Sequence, residues 1–319
     1  MTNQKKNHHF VPQFHLRGFA IDGEKNLIWE YDKQNSTVSK TSKSIRKAVC
    51  CQPFYYEQID PDGAKNQKLE DGFGKIESAA SQVIEALRAQ RTLTGEGKGE
   101  LAFHIALLLT RGPSFRDGCR IFHKNTVEET LQRLFEADQL PPMPTELREY
   151  LKGDDIKSVL KAEVIPQVSL PFVLKGGEEI GKTLCNKKWD IFFSDESYFI
   201  TSDTPVMFGP TGGNREVIGP GNIESSVICP LRKDIVVVAR PYCSSDRDTY
   251  EIKVANKEIV TKLNQLMCFN AQRYVYAPVK DQELLEYVKA GKGWSQRLTS
   301  FTFGGAVMVT WDTRCWGNR

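Results

Sequence analysis

The stretch ELAFHIALLLTRGPSFR, Glu100 to Arg116, decides the architecture. From Glu100 to Thr110 it is apolar on nearly every side, the pattern of a buried helix. Pro113 has no backbone N–H and its ring crowds the preceding turn, so the helix must kink or restart there. Helix is expected again from about Ser114 to Ala137. Upstream, Leu69, Phe73, Ile76, Ala80, Val83, Ile84 and Leu87 recur at spacings of three and four, which predicts an amphipathic helix over about 67–91. Thr94 to Gly99 reads as a glycine-broken link. Downstream, Leu140–Pro144 reads as a proline-rich linker, followed by helices over Glu146–Lys152 and Ile156–Gly181. A helical block, about residues 66–183, therefore occupies the centre of the chain.

The flanks change period. Leu27–Tyr31 is a strand candidate, with Thr37–Ser39 returning antiparallel around Lys33–Asn35. Phe54–Tyr56 is a short aromatic run, and Pro61–Gly63 is a turn. Beyond the helical block, Trp189–Phe193 and Ser197–Thr201 read as a hairpin around Ser194–Glu196. Val227–Pro230, Ile235–Ala239 and Tyr274–Tyr276 read as strands, Val254–Asn270 and Gln282–Ala290 as helices, and Leu298–Trp311 as terminal β structure. This order predicts an α+β fold with β-rich subregions at about 7–60 and 187–319, the C-terminal one forming a single antiparallel or mixed sheet. With 319 residues, 40% of them hydrophobic, residues 1–319 are expected to form one domain.

Composition narrows the functional classes. The net charge of +3 is too small to mark a dedicated nucleic-acid binder, although a local basic patch fits within it. No segment reaches the roughly 18 apolar residues of a membrane span, and the polar start MTNQKKNHHF lacks the apolar core of a signal peptide. The eight cysteines include no CxxC pair, and Cys50 and Cys51 are adjacent, so they read as reduced core thiols of a cytoplasmic protein.

Three constellations carry candidate chemistry. In NHHFVPQFHLRGF, Asn7 to Phe19, an extended backbone would place His9, Gln13, His15 and Arg17 on one face and Phe10, Phe14 and Leu16 on the other. Histidine carries protons near neutral pH, and arginine forks onto phosphate or carboxylate. His9 is the candidate acid or base, with Gln13 and Arg17 as substrate contacts. In RGPSFR, Arg111 and Arg116 bracket a helix restart whose new N-terminus favours anions. In TSDTP, Ser202 and Asp203 follow a strand, Ser202 as a substrate contact and Asp203 as the group that orients His9 or binds a metal. Each has a plainer reading: an anchored terminal segment, an arginine tied to carbonyls, and an ordinary turn. No GxSxG elbow, phosphate loop or HExxH motif is present, and no spacing defines a metal site or implies a cofactor.

These three motifs, in this order, resemble those of the bacterial domain-of-unknown-function family numbered 4238. The N-terminal run is the specific signature. RGPSFR and FITSDTPV resemble the family's Arg-x-Pro-x-x-Arg and Ser-Asp-x-Pro elements, with Gly112 where the family often carries Thr. Asn264 and Arg273 sit in a segment similar to the family's C-terminal part. The resemblance implies that the three segments converge but assigns no reaction. HHFVP also resembles the start of HNH nuclease motifs, but no metal-binding helix follows at short range.

Three functions are therefore carried forward. The first is a hydrolase or nuclease acting on a nucleotide or other phosphodiester through His9 and Asp203, with Gln13, Arg17, Arg111, Arg116 and Ser202 on substrate. The second is a non-catalytic binding or sensor module for an anionic ligand, such as a partner in a bacterial defence system. The third is purely structural bracing.

Overall fold

A computed structural model describes residues 7–60, 62–63, 65–66, 68–139, 144–146, 149, 162–210, 219–303 and 306–312. The N-terminal part contains β1 (Asn7–His9), α1 (Gln13–Arg17), β2 (Leu27–Asp32), β3 (Thr37–Val38), β4 (Lys43–Ser44), α2 (Ile45–Ala48), β5 (Cys51–Pro53), β6 (Gln58–Ile59) and β7 (Lys65–Asn66). The helical block contains α3 (Lys68–Gln90), α4 (Gly95–Thr110), α5 (Pro113–Glu136) and, after a 3-10 turn at Pro166–Ser169, α6 (Leu170–Cys185). The remainder contains β8 (Lys188–Phe193), β9 (Thr201–Ser202), β10 (Met207–Pro210), β11 (Ser225–Arg232), β12 (Ile235–Arg240), β13 (Tyr250–Val254), α7 (Lys257–Asn270), β14 (Tyr274–Ala277), α8 (Gln282–Ala290), β15 (Arg297–Phe303) and β16 (Ala306–Asp312). The chain is α+β, as its sequence order predicts.

The apolar stretch is α4, and His104 to Thr110 are all buried along it. It starts earlier than expected. Gly95–Gly99 is its first turn, because the Thr94 hydroxyl accepts from the Gly97 amide and caps the helix. Pro113 stands at the first position of α5, where no N–H is needed, so the helix restarts there. Helix α6 lies against α4 through glycine: a Cβ on Gly177 would stand 2.8 Å from Leu107 Cδ2. The expected linker at Leu140–Pro144 and helix at Glu146–Lys152 fall largely outside the described residues. So does the first part of the expected helix at Ile156–Gly181; within its described part, from Ala162 on, the α-helix begins only at Leu170.

Two five-stranded sheets complete the core. The first, in the order β10-β11-β12-β8-β13, is antiparallel except for the parallel pair of β8 with β13. The C-terminal strands, expected in one sheet, instead divide: these five form a mixed sheet, β9 and β14 join the second sheet, and β15 and β16 pair with each other. The second, β3-β2-β14-β9 with β4 also on β2, joins strands from opposite ends of the chain. The predicted pair Leu27–Tyr31 with Thr37–Ser39 is present as β2 and β3. The hairpin expected between Trp189–Phe193 and Ser197–Thr201 does not form. Strand β8 pairs with β12 instead, and Ser197–Ile200 crosses to the second sheet. Asn264 holds that crossing, accepting from Ile200 N (3.1 Å) and donating to Tyr198 O (2.9 Å). Only Asn7–His9 of the N-terminal run is a strand, paired with β5, and Gln13–Arg17 is a short helix. The expected two-faced strand is therefore corrected, although Phe10 and Leu16 are in the core as assigned.

The hairpin β15–β16 packs on α5 at Gly118, where an added Cβ would meet Leu298 Cβ at 2.5 Å and its carbonyl oxygen at 2.6 Å. Gly118→Ala is expected to lower stability by about 1–3 kcal/mol through overpacking. Gly72→Ala on α3, where nothing lies within 4 Å, is expected to raise it by up to about 1 kcal/mol. Urea denaturation of both variants checks the pair.

Candidate functional site

The N-terminal motif and RGPSFR meet around the aromatic run Tyr55–Tyr56. Arg111 caps α4 and is 2% exposed. Its Nη2 donates to the His9 carbonyl (2.7 Å), its Nε to the Tyr56 hydroxyl (3.1 Å), and its Nη1 to Glu77 on α3 (2.7 Å). The guanidinium also lies 4.3 Å from the centre of the Phe73 ring. Burial works against its charge, but Tyr56 and Glu77 outweigh that and hold its pKa above the ordinary arginine value. His8 joins the same node: its Nδ1 accepts from Tyr56 N (2.9 Å) and its ring stacks on Tyr56.

His9 is 4% exposed. Its Nε2 donates to Ile45 O (3.0 Å) and its Nδ1 accepts from Gln13 Nε2 (3.4 Å), an arrangement that suits a neutral ring with its proton on Nε2. Gln13 Oε1 in turn accepts from Arg17 Nη2 (2.9 Å), and Arg17 Nε donates to Asn26 (3.1 Å) at the surface. The result is a chain of polar contacts running from the buried His9 ring out to solvent.

Arg116 reaches the other side of the same node. It is 5% exposed and donates to Ser169 Oγ (2.9 Å), Tyr55 O (2.6 Å) and Pro166 O (3.1 Å). Its guanidinium lies 4.0 Å from the Tyr55 ring centre. It has no carboxylate partner among the described residues. It lines an open polar cleft of about 370 Å³ with Gln52, Tyr55, Asp117, Arg120 and Gln167.

The third motif stands apart. Asp203 takes the amides of Gln272 (2.9 Å), Arg273 (2.8 Å) and Tyr274 (3.0 Å) and the Thr204 hydroxyl (3.1 Å). Burial raises its pKa, while these donors pull the other way. Ser202 Oγ accepts from Thr204 N (3.1 Å). These contacts fasten β9 to the start of β14. No partner of Asp203 belongs to the N-terminal motif or to RGPSFR, so it does not orient His9. Sequence reasoning missed Tyr55, Tyr56, Glu77 and Ser169. The aromatic run was visible, but nothing in it signals that two arginines converge there. Among the described residues no group of three or more His, Cys, Asp or Glu side chains could hold a metal ion.

The family model for the proteins of unknown function called DUF4238 matches residues 7–281. The chain belongs to this family. All three motifs lie inside the matched region, which ends at Asp281, the residue that caps α8. No curated protein and no solved structure matches the chain. No helix among the described residues is long and apolar enough to cross a membrane.

Beneath the node, His15 and His104 are buried with their rings 5.8 Å apart. Neither nitrogen of His15 and not Nε2 of His104 has a hydrogen-bond partner. Burial lowers the pKa of His15 to about 3, and that of His104 is also well below the usual value. Unfolded imidazoles take protons below about pH 6.5, whereas the folded ones resist. Stability is therefore full above that pH and lost as pH falls toward 3. His15→Phe is expected to shrink the loss of urea-unfolding stability between pH 6.5 and 4 relative to the wild type. An unchanged acid limb contradicts the assignment. Arg111→Met is expected to cost about 3–5 kcal/mol, because Glu77 and the buried His9 carbonyl lose their donor. Arg17→Ala, at an exposed pair, is expected to cost less than about 1 kcal/mol in the same measurement.

Proposed function

We propose that this chain is a binding or sensor module whose ligand is an anion seated in the polar cleft at Arg116. One observation carries this reading. Among the ionic groups lining the cleft, Glu57 is paired with Lys65 (2.9 Å) and Asp117 with Arg120 (3.5 Å), whereas buried Arg116 has only neutral oxygen acceptors. One positive charge is left over. Three of the five N–H groups of a guanidinium are used here, so two remain for a ligand. A carboxylate or a phosphate monoester, including that of a nucleotide, satisfies these donors.

The hydrolase reading asks more of the protein. His9 would have to give up either Ile45 or Gln13 before moving a substrate proton, and Asp203 would have to act through contacts other than those it makes. A cytoplasmic setting belongs to the same proposal and is supported by the free, buried thiols of Cys50, Cys119, Cys229 and Cys268.

The test is calorimetric titration with inorganic phosphate, acetate and adenosine monophosphate. One-to-one binding of at least one anion is expected, weakened about tenfold or more by Gln167→Glu, which adds a carboxylate to the cleft wall without removing the Arg116 brace. No binding, or binding indifferent to Gln167→Glu, refutes the cleft as the site. Turnover of the nucleotide or of a phosphodiester, abolished by His9→Gln in a folded protein, transfers the conclusion to the hydrolase.

A further inference from the structure

A second cavity lies beside the TSDTP segment and outside the Arg116 cleft, where α7, β10, β11 and the segment after α8 meet. It has a volume of about 330 Å³, within the range of small-molecule pockets. Its walls include Met207, Phe208, Ile228 and Leu266, and none of its lining residues is ionisable. At its mouth stand the rings of Phe269 and Trp294, 6.1 Å apart and tilted by 58°. Both rings are solvent-exposed, Trp294 at 46%. Apolar side chains left uncovered together beside a hollow are the surface from which binding sites are built.

The polar groups of the cavity define what fits. Gln296 is occupied: its Nε2 donates to Phe208 O (2.6 Å) and its Oε1 accepts from Phe208 N (3.3 Å). Ser295 Oγ accepts from Arg297 (3.1 Å). Asn270 differs. It is 7% exposed, and both hydrogens of its amide are given to backbone carbonyls, Thr204 O (2.7 Å) and Val206 O (3.1 Å). Two carbonyl partners fix the amide so that nitrogen faces them and Oδ1 is turned away. That oxygen has no hydrogen-bond partner among the described residues. Asn270 lines this uncharged pocket, and Oδ1 is the bonding capacity it has left.

We infer that this cavity binds a neutral heteroaromatic ring carrying one N–H donor, about the size of indole. The ring packs against Trp294 and Phe269, its N–H donates to Asn270 Oδ1, and the lack of any charged lining residue excludes ionised ligands, whose desolvation nothing there would offset.

Gly209 offers a clean test. It lines the cavity, and a Cβ built on it meets nothing within 4 Å. Gly209→Leu therefore fills the cavity without forcing the strand to move. Saturation-transfer NMR and calorimetry would use indole, 1-methylindole and indole-2-carboxylate against the wild type, Gly209→Leu and Trp294→Ala. The wild type is expected to bind indole, to bind 1-methylindole about five-fold more weakly for want of the donor, and not to bind the carboxylate. Gly209→Leu is expected to lose indole at least tenfold with an unchanged melting temperature, and Trp294→Ala to weaken it measurably. Failure of the wild type to bind indole overturns the inference, as does indole affinity that Gly209→Leu leaves intact. A dimer that Gly209→Leu dissociates, with no indole binding, assigns the cavity to a second copy and also overturns it. Phosphate titration reads the Arg116 cleft separately, so either proposal can fail alone.

Discussion

The side chain of Arg111 is the constraint around which the other N-terminal elements are arranged. A guanidinium with so little exposure survives in a protein interior only if its donors are met. Here they are met by a carbonyl from the N-terminal strand, a phenol from the loop before β6 and a carboxylate from α3. Three segments far apart in sequence are thereby fixed to the end of α4. Arg116, one turn into the next helix, repeats the device against Tyr55 and the turn at Pro166–Ser169. Pro113 makes this possible, because the restart places two arginines on opposite sides of one break. Lys33, Lys98 and Lys187 do the same elsewhere, each collecting backbone carbonyls with a buried ammonium group.

Much of the fold was legible because period and punctuation act locally. The all-round apolar pattern of Leu101–Thr110, the proline after it and the strand pair at Leu27 and Val38 need no tertiary information. Partner choice was not legible. Ser197–Ile200 alternates like a strand, yet its backbone groups go to Asn264 and Lys233 rather than to β8. Likewise Gln13–Arg17 looks extended by alternation but closes a helical turn after Pro12. In each case the deciding hydrogen bond comes from a residue that local pattern cannot identify.

The candidate site was legible in part, for a related reason. Polar residues in the motifs are unusual enough to notice, and Arg111 and Arg116 do converge with the N-terminal run. Whether a histidine or aspartate does chemistry depends on what remains unbonded, and that is a property of the packed interior. His9 and Asp203 have their lone pairs and protons engaged by the protein itself. Arg116 has charge to spare. Of the two groups with unused bonding capacity, Arg116 lies in a motif that the sequence displays, whereas Asn270 sits in ordinary-looking context.

The pairing of β2 with β14 has a consequence for how the chain is made. Trp29 lies opposite Ala277, and Tyr31 opposite Val275. Leaving the ribosome N-terminus first, β2 emerges long before its neighbour exists, and until then its edge shows bare amides and carbonyls beside apolar side chains. Contacts of such sequence separation are slow to form. The helical block can collapse early from local contacts, but closure of the second sheet must wait until Ala277 has been made. Nascent protein therefore passes through a stage with its core half built and one strand edge open to any neighbour that can add to it.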